Sequence, residues 1–496
     1  SKRLDAARQI YNASLGEALR RLSLMRQSKD WRLASSLPKT VVGGQSGKRI
    51  RNKERSDLFR KMQERFGFSS ASIQKFAEAC RDACSIGEHL GSHDTQTTSL
   101  RAFRAAQAYA LGIRGRPRFK TANRFHSVAG KGDAVIRFRK EPVPAVHWAG
   151  LILPLRLDRK DKLGWQRDAQ DSRTKYVRVI RRTIRGRERW YCQLVQEGVA
   201  PQVRPVGDGR VGSDIGPSMI AYVGEKEASL EKICPEVEQP WKEIRRIQRA
   251  LDRSRRETNP GNYDSLGRVK RGANRWIRSG RYLGKLRKLS ETERRLAAAR
   301  KTSHGALANR ILAQGKTIKG EDLCYRSWQK NFGRSVKVRA PGMLVERIRR
   351  KAESAGGGWI DIDARKTRLS QFDHTTGKYA RKPLSQRTHF FGDGVTEPVQ
   401  RDLYSAFLAR CCGKDFLDMA EVRKTWTGAE PLLRRAMSRM KEPARGEGDA
   451  RPHARESVGA GRPSKRNRRS GEAADAVAQA RAVECRNIGI LRTPWL

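Results

Sequence analysis

The segment VGSDIGPSMIAYVGE, Val211 to Glu225, constrains this chain more than any other. Val211, Ile215, Ile220, Tyr222 and Val223 supply β-branched and aromatic character around Gly216-Pro217, a pattern that predicts a strand, a turn and a second strand. Asp214 falls inside the first strand. A carboxylate on a core strand is costly unless something positive meets it, either an Arg or Lys side chain or a metal ion. For one aspartate in a hairpin, a turn cap or an ion pair is also open.

Charge narrows the partners. The 496 residues hold 106 Lys and Arg against 52 Asp and Glu, a formal net charge of +54 that runs through most of the chain. Such a field makes an isolated protein repel itself, so a polyanion is the expected partner, nucleic acid ahead of a membrane surface. No apolar run of ~18 residues predicts a bilayer-spanning helix, and the first residues lack the apolar stretch of a signal peptide. Cys80, Cys84, Cys192, Cys234, Cys324, Cys411, Cys412 and Cys485 are sparse and unpatterned, as expected of reduced thiols in a cytosol.

The length suggests roughly three domains, and the fold class expected is α+β multidomain. Residues 1–111 read as helical, with Ile10, Leu15, Leu19, Leu22 and Met25 near helical spacing. Residues 112–210 read as a mostly β domain with a basic surface, including a hairpin turned at Arg185-Gly186-Arg187. From 211 to 360 strand and helix signals alternate around an inserted basic helical hairpin, 241–314, whose first helix gathers Ile244, Ile247 and Leu251 on one face. An insert at 361–398, a last motif and helix at 399–433, and a tail at 434–496 complete the division. The tail is Gly, Pro, Arg and Glu with little apolar content, so disorder is expected there.

Two further acids stand on rigid mounts. KTIKGEDL predicts a strand ending at Glu321, and QRDLYSAFLARC predicts a helix with Asp402 in its first turn. Two-metal phosphodiester cleavage needs a few carboxylates converging on Mg²⁺ ions ~3.5–4 Å apart. Mg²⁺ prefers oxygen ligands and retains water, so two or three carboxylates suffice. The plainer readings are a surface position for Glu321, since Asp322 beside it is equally acidic, and a helix-dipole role for Asp402.

VGSDIGPSMIAYVG, KGEDL and QRDLYSAFLA, taken together and in that order, resemble the three motifs of a split RuvC nuclease. That nuclease has an RNase H-like fold and belongs to transposon-encoded TnpB proteins and the compact type V CRISPR effectors derived from them. GRPRFK, Gly115 to Lys120, is similar to a recurrent element of their β-barrel wedge domain, and NFGRSVKVRAPGMLVERIRRKAESAGG to the stretch after the glutamate motif. The resemblance covers about residues 5 to 412. It implies a helical recognition lobe at 1–111, a β-barrel wedge at 112–210 and a RuvC domain from 211. It also implies an RNA-guided, Mg²⁺-dependent DNA endonuclease of the prokaryotic cytoplasm, with Asp214, Glu321 and Asp402 as catalytic metal ligands for two Mg²⁺ ions. Guide RNA, target duplex and a displaced single strand are the implied partners.

One departure lies in the insert. The relatives usually carry two zinc-binding Cys pairs between the second and third motifs, whereas LSQFDHTTGKYARKPLSQRTHFFGDGVTEPVQRDL has no cysteine. Asp373, His374, His389 and Asp393 lie near that place, but structural zinc prefers thiolates, so a loop that keeps its shape without Zn²⁺ is expected.

The nucleic-acid contacts expected are Arg114, Arg116, Arg118, Phe119, Lys120 and Arg124, with Phe125 beside them, where cations mix with aromatics and glycines. The arginine face Arg245, Arg249, Arg253 and Arg256 and the basic loop residues Lys270, Arg271 and Arg275 suit an A-form backbone. VVGGQSGKRI departs from a phosphate-binding loop by one residue of spacing and reads as a flexible basic loop. Cys80, Cys84, His89 and His93 are too closely spaced for a zinc finger and read as core packing. Two other functions stay open: a guided DNA-binding protein with little or no cleavage that represses transcription, and a basic structural RNA-binding protein.

Overall fold

In the computed structural model, which describes residues 1–43, 48–131, 135–157, 161, 164–198, 204–383 and 385–441, the chain divides into two units, 1–199 and 200–496. The first opens with α1 (Lys2–Gln27), whose Ile10, Leu15, Leu22 and Met25 form a buried stripe. After α2 (Lys29–Ser36), β1 (Thr40–Gly43) and β2 (Lys48–Arg51) pair antiparallel. The stretch read as a flexible loop therefore supplies two strands, and its residues 44–47 lie outside the described residues. Helices α3 (Lys53–Arg65), α4 (Ser70–Asp82) and α5 (Ser92–Ala110) follow. Cys80 packs against the core, but Cys84 and His93 are exposed, so the core-packing expectation holds for one of that group only.

Beyond α5 come β3 (Ser127–Lys131), β4 (Ile136–Arg139), β5 (Ala145–Trp148), β6 (Leu151–Pro154), the short α6 (Trp165–Asp168), β7 (Thr174–Ile184) and β8 (Arg187–Gln196). They make two three-stranded antiparallel sheets, β3-β7-β8 and β4-β5-β6. Among the described residues β6 and β8 each pair on one side only, so the strands form open sheets in place of the expected closed barrel. The β7–β8 turn is tighter than expected. Ile184 pairs with Arg187, and Arg185 and Gly186 both take positive φ, 51° and 75°, the twist that suits a two-residue hairpin loop.

The helical and β segments, read from sequence as two domains, share one core containing Ile10, Leu15, Phe103, Val128 and Val177. Asp94 on α5, fully buried, accepts a 2.9 Å hydrogen bond from the Trp148 indole on β5 and ties the two together.

In the second unit β9 (Arg210–Ile215), β10 (Met219–Val223) and β11 (Ala228–Lys232) form an antiparallel meander. Then come α7 (Glu238–Thr258), α8 (Gly280–Gln314), β12 (Thr317–Glu321), α9 (Tyr325–Arg339), α10 (Pro341–Ser354), β13 (Gly358–Ile362) and α11 (Ala364–Thr367). The last elements are β14 (Thr388–His389), β15 (Val399–Gln400), α12 (Arg401–Cys411) and α13 (Met419–Lys441). The sheet runs β11-β10-β9-β12-β13, with β12 parallel to both neighbours.

Alternation along β9 and β10 sorts the two faces. Val211, Ile215, Ile220 and Tyr222 pack with Ile311, Leu312 and Ile348 of α8 and α10. Ala221 and Val223 pack with Leu403, Phe407 and Leu433 of α12 and α13. On α7, Ile244, Ile247 and Leu251 are buried as the spacing predicts. α13 continues to Lys441, past Arg434 where the tail was expected to begin; residues 442–496 of that tail lie outside the described residues. No helix among the described residues is long and apolar enough to cross a membrane.

Candidate active site and nucleic-acid interface

Strand parity decides where Asp214 points. Gly212 and Asp214 alternate with the residues that face α8 and α10, so both face α12. A Cβ at Gly212 would lie 2.1 Å from the Ala406 carbonyl oxygen and 2.3 Å from the Arg410 amide nitrogen, so α12 seats directly on β9 at a residue without a side chain. Asp402 is one helical turn before Ala406, and Asp214 is the next residue on the same face after Gly212. Glu321 ends β12, whose parallel register sets Gly320 beside Ser213; one more step brings Glu321 beside Asp214. Strand, strand end and helix start thus deliver three acids to one end of the sheet.

Asp214 senses the other two charges. Burial raises the Asp214 pKa well above its ordinary value, and the Glu321 and Asp402 carboxylates raise it further, against a partial lowering by Arg401 and Arg387. Burial also raises Glu321. No side chain among the described residues donates a hydrogen bond to Asp214 or forms an ion pair with it. The plainer alternatives recede. Gln400, not Asp402, caps α12, its side-chain oxygen accepting the Leu403 N–H at 2.7 Å. Asp322 is exposed, while Glu321 is only partly exposed.

Sequence reasoning missed two neighbours. Arg387 Nη1 stands 3.7 Å and Arg401 Nε 3.5 Å from the Asp402 carboxylate. Arg401 could have been noticed as the residue preceding the acid, but nothing in the sequence marks Arg387, which reaches the site from the insert. Among the described residues no three His, Cys, Asp or Glu side chains are grouped at metal-holding distance, and Asp402 is engaged by its two arginines. The donor set nonetheless suits Mg²⁺: three carboxylates, hard oxygen ligands, whose mutual repulsion a divalent cation relieves.

The insert is held by rings and hydrogen bonds. His374 and His389 are buried; His374 meets the Tyr404 hydroxyl at 2.8 Å, and Lys382 contacts His389 Nδ1. His389 lies 4.2 Å from the Tyr404 ring centroid, and Phe391 and Trp426 close the knot. Asp373 accepts the Thr375 and Gly392 N–H groups, and Asp393 accepts the Thr396 N–H. Burial drives the His389 pKa down to about 4, keeping the ring neutral at pH 7.

Most of the expected nucleic-acid contacts are free of the core. Arg114, Arg116, Arg118 and Arg124 are exposed and Phe119 is 59% exposed, while Lys120 is half-buried and anchored to α1 through paired bonds with Asn12 (2.8 and 2.9 Å). Phe125 is the exception. At 1% exposure it packs on Tyr11 and belongs to the core, because its ring completes the α1–β3 contact. In the second unit Arg245, Arg249 and Arg253 line an open groove of about 340 Å³ with Gln248 and Asp252. Lys270, Arg271 and Arg275 are exposed. Arg256 is also exposed, but it pairs with Asp252 at 2.8 Å and donates to the Gly267 carbonyl at 2.7 Å.

No protein-family model matches the chain, and no curated protein does. Solved structures similar to it include two cryo-EM complexes. One is a cryo-EM structure of a Cas12f1–sgRNA–target DNA complex, 14% identical, with TM-score 0.41 over 80% of this chain and 94% of that one. The other is a cryo-EM structure of a CRISPR-Cas12f ternary complex, 12% identical, with TM-score 0.31 over 83% of this chain and 82% of that one.

Proposed function

We propose that the chain is an RNA-guided DNA endonuclease with an RNase H-like, RuvC-type centre in which Asp214, Glu321 and Asp402 hold Mg²⁺. What supports this reading is that three acids, far apart in sequence, are mounted toward one end of a five-stranded sheet whose β12 runs parallel to β9, with Asp214 sensing the charges of the other two. The net charge of +54 supports polyanionic partners, here a guide RNA and a target DNA.

Bound Mg²⁺ would polarise the scissile phosphate and make water acidic enough to attack near neutral pH. The chain's own residues supply position. Asp214 and Glu321 offer carboxylate oxygens from adjacent strands, and Asp402 offers its own from the first turn of α12. Lys319, two residues before Glu321, donates to the Cys412 carbonyl at 2.6 Å and holds β12 in register with the far end of α12. Arg387, on the solvent side of Asp402, is suited to meet a phosphate entering the cleft.

The test uses the purified complex with its copurified RNA, a plasmid carrying the matching target, and Mg²⁺. Wild type is expected to linearise or nick the plasmid, while Asp214→Ala binds target in a gel shift without cutting. Cutting at the wild-type rate by Asp214→Ala removes Asp214 from the centre. A second reading, guided binding without cleavage, is favoured by the engagement of Asp402 with Arg387 and Arg401. Target binding with the plasmid left supercoiled at saturating Mg²⁺ would establish it.

A further inference from the structure

The connection between α7 and α8, residues 259–279, is long for one holding only a 3₁₀ turn at Pro260–Asn262 and a single β-bridge between Tyr263 and Val269, and long connections of this kind are usually functional or disordered. This one is pinned. Asn259, buried, takes the Ile277 N–H (2.7 Å) and donates to the Ile277 and Arg255 carbonyls (3.0 Å each). Asn262 donates to the Arg275 carbonyl at 2.7 Å, and Asp264 accepts the N–H groups of Leu266 and Arg268. Tyr263 and Trp276 meet edge to face at 5.9 Å, with Arg255 and Arg256 over their rings.

What this pinned prong presents is aliphatic side chains among cations. Leu266, in its turn, is 72% exposed, Ile277 70% and Val269 47%, and Arg268, Lys270, Arg271, Arg275 and Arg278 on the same connection are exposed with them. Cations alone would serve a phosphate backbone, and exposed aliphatic side chains among them add nothing to that role. Charge complementarity selects a polyanion, and the aliphatic side chains select the part of a polyanion that is apolar, the face of an unstacked base. We propose that this prong engages a junction between paired and unpaired nucleotides, Leu266 packing on the terminal base pair while the surrounding cations hold the flanking phosphates. The proposal rests on the nucleic-acid-binding part of the proposed function and needs no cleavage.

The experiment measures binding of the full chain to a forked duplex and to a blunt duplex of equal length, each in DNA and in RNA, with 2-aminopurine at the first position beyond the fork. Leu266→Ser is expected to weaken fork binding about five- to ten-fold, leave blunt-duplex binding unchanged and abolish the 2-aminopurine change. The strand chemistry showing the larger loss identifies the nucleic acid engaged. Arg275→Gln is expected to weaken both probes alike and flatten the salt dependence. Equal losses of Leu266→Ser on fork and blunt duplex, or none, overturn the prong. So does a loss confined to phosphatidylserine vesicles. A wild-type chain that binds neither duplex overturns the nucleic-acid reading itself, and the prong with it.

Discussion

Asp214→Asn should stabilise the metal-free protein while destroying its metal response. Burial is the larger cause of the raised Asp214 pKa; beside it, adjacent strands are about 4.8 Å apart, so charges on Asp214 and Glu321 at a separation on the order of 5 Å would repel. At an effective dielectric of about 20 that repulsion is about 3 kcal/mol, and Arg387 and Arg401 offset part of it. The net gain expected on removing the charge is on the order of 1–2 kcal/mol, a rise of roughly 2–6 °C in Tm for a unit of this size. The sign with pH follows from the raised Asp214 pKa. A carboxyl that titrates higher in the folded than in the unfolded chain gives stability fully present below the unfolded pKa and lost as pH rises through the folded one. Calorimetry in EDTA should therefore show the variant above wild type at pH 8, with the gap narrowing toward pH 5. Millimolar Mg²⁺ should raise the wild-type midpoint and leave the variant unmoved. A variant less stable than wild type at pH 8 in EDTA, or a gap indifferent to pH, refutes the account of Asp214 as a charge held among like charges.

Gly212→Ala puts a Cβ against backbone atoms of α12 that cannot rotate away, so a loss of about 3 kcal/mol in urea unfolding is expected, with cleavage falling further than target binding. Tyr404→Phe removes the hydroxyl that meets both the His374 N–H (3.0 Å) and its ring nitrogen, and should cost about 1–3 kcal/mol; a zinc chelator should leave the wild-type unfolding midpoint unchanged. Burial pushes Asp94 up to about 6, so its share of stability, about 3 kcal/mol, is present below pH 4 and lost as pH rises through 6. The stability difference between Asp94→Asn and wild type, followed by urea melts from pH 5 to 7.5, should shift in favour of the variant as pH rises.

The mounts of the three acids were legible because each rests on local rules. Alternation around Gly216-Pro217, a strand ending at Glu321 and helical spacing after Asp402 all carry their own periodicity. The arginine helix was legible for the same reason, with Ile244, Ile247 and Leu251 marking its buried side. What failed depends on contacts distant in sequence. Phe125 sits in an arginine-rich run, yet a ring of α1 lies 5.7 Å away and draws it into the core. Hairpin signals between 112 and 210 fix neighbouring strands but not which edges close, and the strands settle as two open sheets. Arg387 is invisible for the same cause. Only the fold of the insert brings it to Asp402.

A chain with twice as many cations as anions still leaves Asp214 without an ion pair, and the sheet explains how. The two buried cations nearest the β9–α12 contact are already committed. Lys319 donates to the Cys412 carbonyl, and Arg410 donates to the Gly224 carbonyl, both toward the C-terminal end of α12. There they complement the negative pole of the helix and satisfy backbone oxygens that would otherwise be buried unmet. Neither can release its carbonyl to reach Asp214 without leaving a buried acceptor unsatisfied, at about 1–3 kcal/mol. Arg387 reaches Asp402 from the solvent side, and Arg401, itself buried, is held at Asp402 and by a hydrogen bond to the Pro383 carbonyl. The cations around the acids are thus each committed to other partners and none forms an ion pair with Asp214, which agrees with the proposal that the carboxylates hold a divalent cation.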